Sequence, residues 1–364
     1  MMKTLNEKEW VAIPITGMFE KIIAGKGKGL NHLTKITDGV NYIGATNRNN
    51  GVMCSIADDE LSNNLIQEGN CIGFIKNGDG SAGYAIYKRE KFISTSDVIY
   101  GYADWLNSNS GIFFVAVQDM IEEKYSHGYK RNQQHLRGDK VMLPVTDDGK
   151  PDYDYMSEYV QEHKEAMLAK YRDYAEKQIA EIGDYVEIPA LDEKEWNTFK
   201  AFGEDGLFVI ETTNSSIDGI RLIDGKIKNI PYITRTDTNN GIARFVSDDN
   251  FSYGHDEAGC ITVGLDTQTA FWQSHKFVTG QNIQVISGDK LNLFSAQFVI
   301  PLFRNQMKAK FNWGGNGATL GRMKRLELML PTTDSGEPDF EYMEQYAKNM
   351  MLRKYQQYLS YLAM

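Results

Sequence analysis

Cysteine is scarce: Cys54, Cys71 and Cys260 form no Cys-x-x-Cys pair, and two of them sit in apolar contexts. That favours small buried hydrophobes over disulfides or zinc ligands, so no metal or other cofactor is expected. Long apolar runs are also lacking. None approaches the roughly 18–20 residues needed to span a bilayer, and MMKTLNEKEW has no apolar stretch of the secretory type. The expectation is a cytoplasmic chain with no membrane partner. Positive charge is in deficit, with 39 Lys and Arg against 49 Asp and Glu and a net charge of −10. A free-standing binder of polyanions normally shows the opposite balance, because phosphate contacts need cations. There is no P-loop, no HExxH, no GxSxG and no NPPY or DPPY motif. What is present, 41% hydrophobic and 24% charged residues over 364 positions, is an ordinary globular composition, sufficient for two cores.

The chain is internally duplicated. MLPVTDDGKPDYDYM at Met142–Met156 returns as MLPTTDSGEPDFEYM at Met329–Met343, 187 positions later and identical at ten of fifteen residues. LNEKEW at Leu5–Trp10 returns as LDEKEW at Leu191–Trp196, and NYIGATNRNNGV at Asn41–Val52 as PYITRTDTNNGI at Pro231–Ile242. Cys71-Ile72 and Lys91-Phe92 have counterparts in Cys260-Ile261 and Lys276-Phe277, in the same order. Such a period is too long for a solenoid unit and suits a whole domain with its connector. Between the anchors the copies diverge, notably at Gly73–Tyr87 against Thr262–Gln273 and at Tyr125–Gly138 against Phe311–Gly321.

Within each copy, CIGFI (71–75), YAIY (84–87), FFVAV (113–117), LFVIE (207–211) and QFVIPLF (297–303) read as strands, being short, aromatic and β-branched. The Asn-Asn-Gly and Asn-Gly-Asp-Gly stretches supply left-handed turn positions, and MIEEKY (120–125) reads as helical. Each module is therefore α+β. Pro151-Asp152 and Pro338-Asp339 look like helix starts, and long glycine-free segments follow. Met156, Val160, Met167, Tyr171, Ala175, Ile179 and Ile182 form one apolar stripe at helical spacing, and Met343, Ala347, Met351, Tyr355, Leu359 and Leu362 form another. Helices of this length, on the order of 40 Å, either pack on their own modules or pair with each other as an antiparallel coiled coil under an approximate two-fold axis.

Charge is unevenly spread. Pro151–Glu187 carries ten acidic against four basic residues, whereas Arg304–Arg325 holds Arg304, Lys308, Lys310, Arg322, Lys324 and Arg325 with no acid between them. The corresponding part of the first copy holds Lys124, Lys130, Arg131, Arg137 and Lys140 with His127 and His135, interleaved with Tyr125 and Tyr129, against Glu122, Glu123 and Asp139. A basic, glycine-containing loop at one place in both copies points to a phosphate-facing edge. Duplication also tests catalytic motifs. Gly78, Gly80 and Gly83 have GxGxxG spacing, but a strand follows and the second copy lacks the glycines, so the stretch reads as a turn. Pro151-Asp152 with Glu162-His163-Lys164 imitates the PD…ExK layout of metal-dependent nucleases, but the second copy keeps only Pro338-Asp339, the behaviour of a helix start.

NYIGATNRNNGV, the connector LPVTDDGKPDYDYM with its copy LPTTDSGEPDFEYM, and the order module, helix, module, helix together resemble the DNA sequence-specificity (S) subunit of Type I restriction-modification systems or of the related Type IIB systems. The resemblance implies two target-recognition domains, 1–150 and 187–336, each reading half of a bipartite double-stranded DNA site, with spacer helices 151–186 and 337–364. It implies no catalytic site of the chain's own, but docking of two DNA methyltransferase subunits and, in a full complex, a restriction subunit. Diverged loops imply an asymmetric target, and partner subunits that supply part of the positive channel would reconcile the acidic total with DNA binding. Asn and Arg side chains can contact bases bidentately, whereas Lys more often holds phosphate. On that ground the DNA contacts are assigned to Asn47, Arg48, Asn50, Lys124, Tyr125, Tyr129, Lys130 and Arg131 in the first module. In the second they are Arg235, Asp237, Asn240, Lys308, Lys310, Asn312, Arg322 and Lys324. Arg131→Ala or Lys310→Ala is expected to weaken DNA binding without loss of folding. The rival readings are an enzyme, such as a metal-dependent nuclease or a small-molecule transferase, and a non-DNA interaction scaffold.

Overall fold

The described residues of this computed structural model are 3–27, 29–78, 80–126, 128–311 and 317–362, the side chain of residue 122 excepted. The chain forms two compact units, Met1–Tyr171 and Arg172–Met364. The first contains β1 (Trp10–Pro14), β2 (Lys21–Ala24), β3 (Lys35–Ile36), β4 (Val40–Ile43), β5 (Val52–Ile56), α1 (Glu60–Asn63), β6 (Cys71–Ile75), β7 (Ala85–Lys88), β8 (Phe92–Ser94), β9 (Val98–Tyr102), α2 (Ser108–Gln118), α3 (Gln133–Gly138) and β10 (Lys140–Pro144). After these comes α4 (Tyr153–Ile182), which runs on into the second unit.

Three sheets build the first unit: antiparallel β2-β9-β6-β7, mixed β3-β5-β4-β8 with β4 and β8 parallel, and the ribbon β1-β10. All five residues of β6 are buried, because its two faces serve two cores. Ile72 and Phe74 join Phe19, Phe113 and Phe114 beside α2, whereas Cys71 and Ile75 join Ile43, Phe92 and Tyr100 beside the mixed sheet. A strand covered on both sides reads as a continuous apolar run, as CIGFI does.

The second unit repeats this plan with β11 (Trp196–Lys200), β12 (Val209–Thr212), β13 (Ile230–Ile233), β14 (Ile242–Val246), β15 (Cys260–Gly264), β16 (Thr269–Gln273), β17 (Val278–Thr279), β18 (Ile283–Ser287), α5 (Leu293–Lys310), α6 (Leu320–Met323), β19 (Glu327–Pro331) and α7 (Phe340–Leu362). Its sheets are β12-β18-β15-β16, β14-β13-β17 with β13 and β17 parallel, and β11-β19. Cys260 occupies the place of Cys71, and burial pushes each thiol up to about 12.

Two predicted strands are helices. FFVAV lies in α2 and QFVIPLF in α5. Short apolar runs carry no decisive period, and the caps outside them decide. The Asn107 side chain accepts from the amides of Asn109 and Ser110 at 2.8 and 3.0 Å, and Asn292 does the same for Phe294 and Ser295 at 2.9 and 3.1 Å. Each helix then lays its apolar side on the main sheet, where Phe114 and Phe303 are fully buried.

The duplicated motifs meet in space. β1 pairs with β10 so that Trp10 faces Pro144, and β11 pairs with β19 so that Trp196 faces Pro331. Lys8 Nζ lies 2.6 Å from Asp152 Oδ2, and Lys194 Nζ 2.8 Å from Asp339 Oδ2. The other oxygen of each carboxylate caps a long helix, accepting from the Tyr155 amide at 3.0 Å and the Tyr342 amide at 2.9 Å. Tyr155 Oη donates to the Lys3 carbonyl at 3.0 Å and Tyr342 Oη to the Pro189 carbonyl at 2.9 Å. The EKEW and PD-x-x-YM stretches are thus two halves of one clamp, which accounts for their joint survival in both copies.

The first turns of each long helix pack on their own module. Met156 is buried in the first core, where Tyr153 stacks on Trp105 at 4.5 Å, and Met343 is buried in the second. Within the second unit the end of α4 also meets α7. Arg172 Nη2 donates to the Leu362 carbonyl at 3.2 Å, Tyr174 lies edge-on to Tyr355 at 6.2 Å, and Ala175 is fully buried. Beyond that helix end, the Asn349 side chain accepts from the Val186 amide at 3.2 Å. One member of the predicted stripe, Met167, is exposed.

Candidate nucleic-acid interface

Asn49, Asn50 and Gly51 have φ of 48°, 48° and 79°, and Asn239, Asn240 and Gly241 have 50°, 56° and 78°. These left-handed conformations are why Asn and Gly stand there. The second asparagine of each turn reaches back to the main sheet. Asn50 Nδ2 donates to the Tyr87 carbonyl at 2.9 Å, and Asn240 Nδ2 to the Trp272 carbonyl at 2.8 Å. An identical bond in two modules with different loops holds the turn, and it commits the Nδ2 donor of both side chains to the frame rather than to a base.

In the first unit Asn47 and Arg48 are exposed beside that turn, with Asn47 Oδ1 accepting from Ser81 Oγ at 3.1 Å. Ser81 belongs to the turn that contains Gly80 and Gly83, with φ of 68° and 94°, followed by β7 as the sequence indicates. Tyr129 is exposed and stacks on His135 at 4.4 Å, and Lys130 is exposed next to it.

Arg131 requires a correction. Its side chain is fully buried, with Nε donating to Asp139 Oδ2 at 2.9 Å, Nη1 to the Gly83 carbonyl at 2.8 Å and Nη1 also to Gln118 Oε1. Tyr125 is buried as well. Its hydroxyl donates to Asp139 at 2.7 Å, and burial foremost, then the Asp139 carboxylate, pushes its pKa up. Lys124 Nζ lies 2.7 Å from Asp139 at the rim of this group. A guanidinium so enclosed reaches no phosphate, and Arg131→Ala would strip Asp139 of its buried counter-charge and leave only Lys124 at the rim. Sequence reading placed Arg131 and Tyr125 outside because spacing carries no information on which side of a loop faces the core.

In the second unit Asp237, Asn240 and Lys308 are brought together along one side of α5. A cleft of about 450 Å³ is lined by Asn240, Phe271, Pro301, Arg304, Asn305 and Lys308. Arg304 donates to Asp237 and lies 5.3 Å from the ring centre of Phe271. Arg304 belongs to the basic stretch of the sequence but not to the assigned contacts, and Asn305 to neither, because 297–303 reads as a strand, which hides that Arg304 and Lys308 share a helix face. Arg235 pairs with Asp266 in the β15–β16 turn. That turn is tied to the segment before α6, since the Leu265 carbonyl accepts from the Ala318 amide at 3.0 Å and Arg322 Nη1 donates to the Gly317 carbonyl at 3.0 Å. Lys310 is exposed on the last turn of α5. Lys324 lies apart, in a cleft lined by Phe202, Phe208 and Leu320. Asn312 and His127 lie outside the described residues.

The family model for the type I restriction modification DNA specificity domain matches the chain twice, over residues 7–170 and 176–358. The chain belongs to this family. It is 29% identical over 252 residues to the specificity subunit S.BcgI of the type II restriction enzyme BgcI of Heyndrickxia coagulans, a match covering 67% of each protein. Among solved structures it is similar to the type I restriction-modification S subunit of M. genitalium, with 13% identity, a TM-score of 0.54 and coverage of 100% of this chain and 94% of that one. That likeness concerns the fold.

Within this specificity-domain frame the nuclease-like layout has a structural explanation. Asp152 caps α4 and pairs with Lys8, while Glu162 and Lys164 stand exposed further along the helix. The same cap at Asp339, with nothing resembling the rest, is that of a helix start. No group of three or more His, Cys, Asp or Glu among the described residues could hold a metal ion, and no described helix is long and apolar enough to cross a membrane.

Proposed function

We propose that this chain directs a restriction-modification complex to an asymmetric, bipartite duplex sequence, one half read by residues 1–150 and the other by residues 187–336. Residues 151–186 and 337–364 act as spacer helices that pair as an antiparallel coiled coil. Contacts of Arg172 with Leu362 and of Tyr174 with Tyr355 support that pairing. The chain works in the cytoplasm without a catalytic site of its own and docks two methyltransferase subunits and, in a full complex, a restriction subunit. The observation that carries the reading is one frame built twice around different loops. The clamps Lys8–Asp152 and Lys194–Asp339 and the turn bonds of Asn50 and Asn240 coincide, while the surrounding charged side chains do not. Phosphate contacts orient such a frame, and a few side chains read bases.

With a net charge of −10, the chain alone binds DNA weakly, and partner subunits complete the positive channel. The contacts retained from the sequence assignment are Asn47, Arg48, Tyr129 and Lys130 in the first module, and Arg235, Lys308, Lys310 and Arg322 in the second. The test is to map methylated positions in DNA from cells carrying the methyltransferase with and without this chain, and to measure binding at several salt concentrations. Methylation at one bipartite motif only when the chain is present is the expected result. Equal affinity and selectivity with and without the partner would overturn the docking reading.

A further inference from the structure

The two modules differ in chemistry at one equivalent helical position. The Asn107–Ser110 cap of α2 corresponds to the Asn292–Ser295 cap of α5, which sets Arg304 at the place of Asp119. Asp119 turns inward, its Oδ1 accepting from the Ala85 amide and from Gln118 Nε2, each at 2.8 Å, and α2 ends there. In the second module α5 continues to Lys310, and Arg304 lies over Phe271 while donating to Asp237. Asp237 itself stands where the first module has Asn47.

We infer that Arg304 is the residue through which the second module reads a guanine, with Asp237 as the positioning residue that holds it; this rests on the DNA-specificity reading above. A guanidinium offers five N–H donors in a planar fork. Asp237 engages Nη2, the Phe271 ring lies 5.3 Å from the group, and the remaining donors can meet guanine O6 and N7 as a pair, a contact lysine cannot reproduce. The side chain is 25% exposed, enough to present an edge while already losing most of its rotamer freedom before DNA arrives. Lys308, one turn further along the same cleft, is placed for an adjacent phosphate. The first module has an acid at position 119 and alanine at position 45, where the second has Arg235. The guanine contact therefore belongs to one half-site.

The test uses the full chain in complex with its methyltransferase subunits and a set of duplexes in which each position of the methylated motif is replaced in turn. Arg304→Lys is expected to lower discrimination at a single guanine-containing base pair by on the order of 10-fold or more, leaving every other position and the whole other half-site unchanged. Asp237→Asn, which removes the carboxylate without shortening the side chain, is expected to relax the same base pair more weakly, and it carries the test should Arg304→Lys fail to fold. A uniform loss across all sequences would make Arg304 a phosphate contact, and an unchanged profile would remove it from the interface; either overturns the inference. A wild-type complex with no sequence preference would instead overturn the specificity-subunit reading itself.

Discussion

Arg131 Nε donates to Asp139 Oδ2 at 2.9 Å with both side chains fully buried, and in the second module the corresponding residues are Ala318 and Leu326. Matching backbone bonds fix this equivalence. The Arg131 amide donates to the Lys76 carbonyl and the Ala318 amide to the Leu265 carbonyl, while the Asp139 carbonyl accepts from Ile15 and the Leu326 carbonyl from Ala201. Gln118, which accepts from Arg131, has Phe303 as its counterpart. One frame is thus filled by a polar network in one copy and by apolar side chains in the other.

Breaking that network in half leaves a buried charge. Arg131→Ala or Asp139→Ala is expected to cost about 3–5 kcal/mol of stability, measured by urea unfolding of the full chain. The combined change Gln118→Phe, Arg131→Ala and Asp139→Leu, which copies the second module, should recover most of that loss. A triple variant as unstable as the single ones would show that the surroundings have diverged too far to accept the swap.

The clamps make stability pH-dependent in acid. Burial opposes ionisation of Asp152 and Asp339, but the Lys8 and Lys194 hydrogen bonds, the helix-start amides and the lysine charges together hold both carboxyls below the usual aspartate value. A depressed carboxyl contributes stability that is present above the unfolded value of about 3.9 and is lost as pH falls through the lower folded value. Unfolding midpoints should therefore drop below pH 4, and the drop should be smaller in Asp152→Asn with Asp339→Asn.

The turn asparagines should behave as framework. Asn240→Ala is expected to destabilise by about 2 kcal/mol, combining a left-handed conformation unfavourable to alanine with a lost hydrogen bond. Asn240→Gly should cost less, since glycine keeps the conformation and loses only the bond. Neither change should alter the methylated motif in a sequencing assay.

Thiol reactivity distinguishes the cysteines. Cys71 and Cys260 are buried with their thiols pushed up to about 12, whereas Cys54 is partly exposed. At pH 8 a thiol-specific reagent should modify Cys54 quickly and the other two only on unfolding. Rapid native labelling of Cys71 would contradict the strand packing described for β6.

Phosphate contacts have their own signature. Lys308→Ala in the methyltransferase-bound complex should weaken binding across all sequences alike and lower the salt slope by about one. A position-dependent effect would mean that Lys308 reads a base.

The sequence alone determined what repeats and local chemistry encode: two modules, an α+β character, left-handed turns at Asn-Asn-Gly, and helix starts at Asp152 and Asp339. These follow from backbone preferences and from short-range hydrogen bonds, which act within a few residues. Tertiary structure decided the rest. FFVAV and QFVIPLF became helices because Asn107 and Asn292 cap them against a sheet made of distant strands. Arg131 went inside because Asp139 and Gln118 await it there, and Arg304 gained its place beside Asp237 from a helix and a turn 67 positions apart. Which side of a charged loop meets solvent depends on what lies beneath it, and in each case that is supplied by another part of the chain.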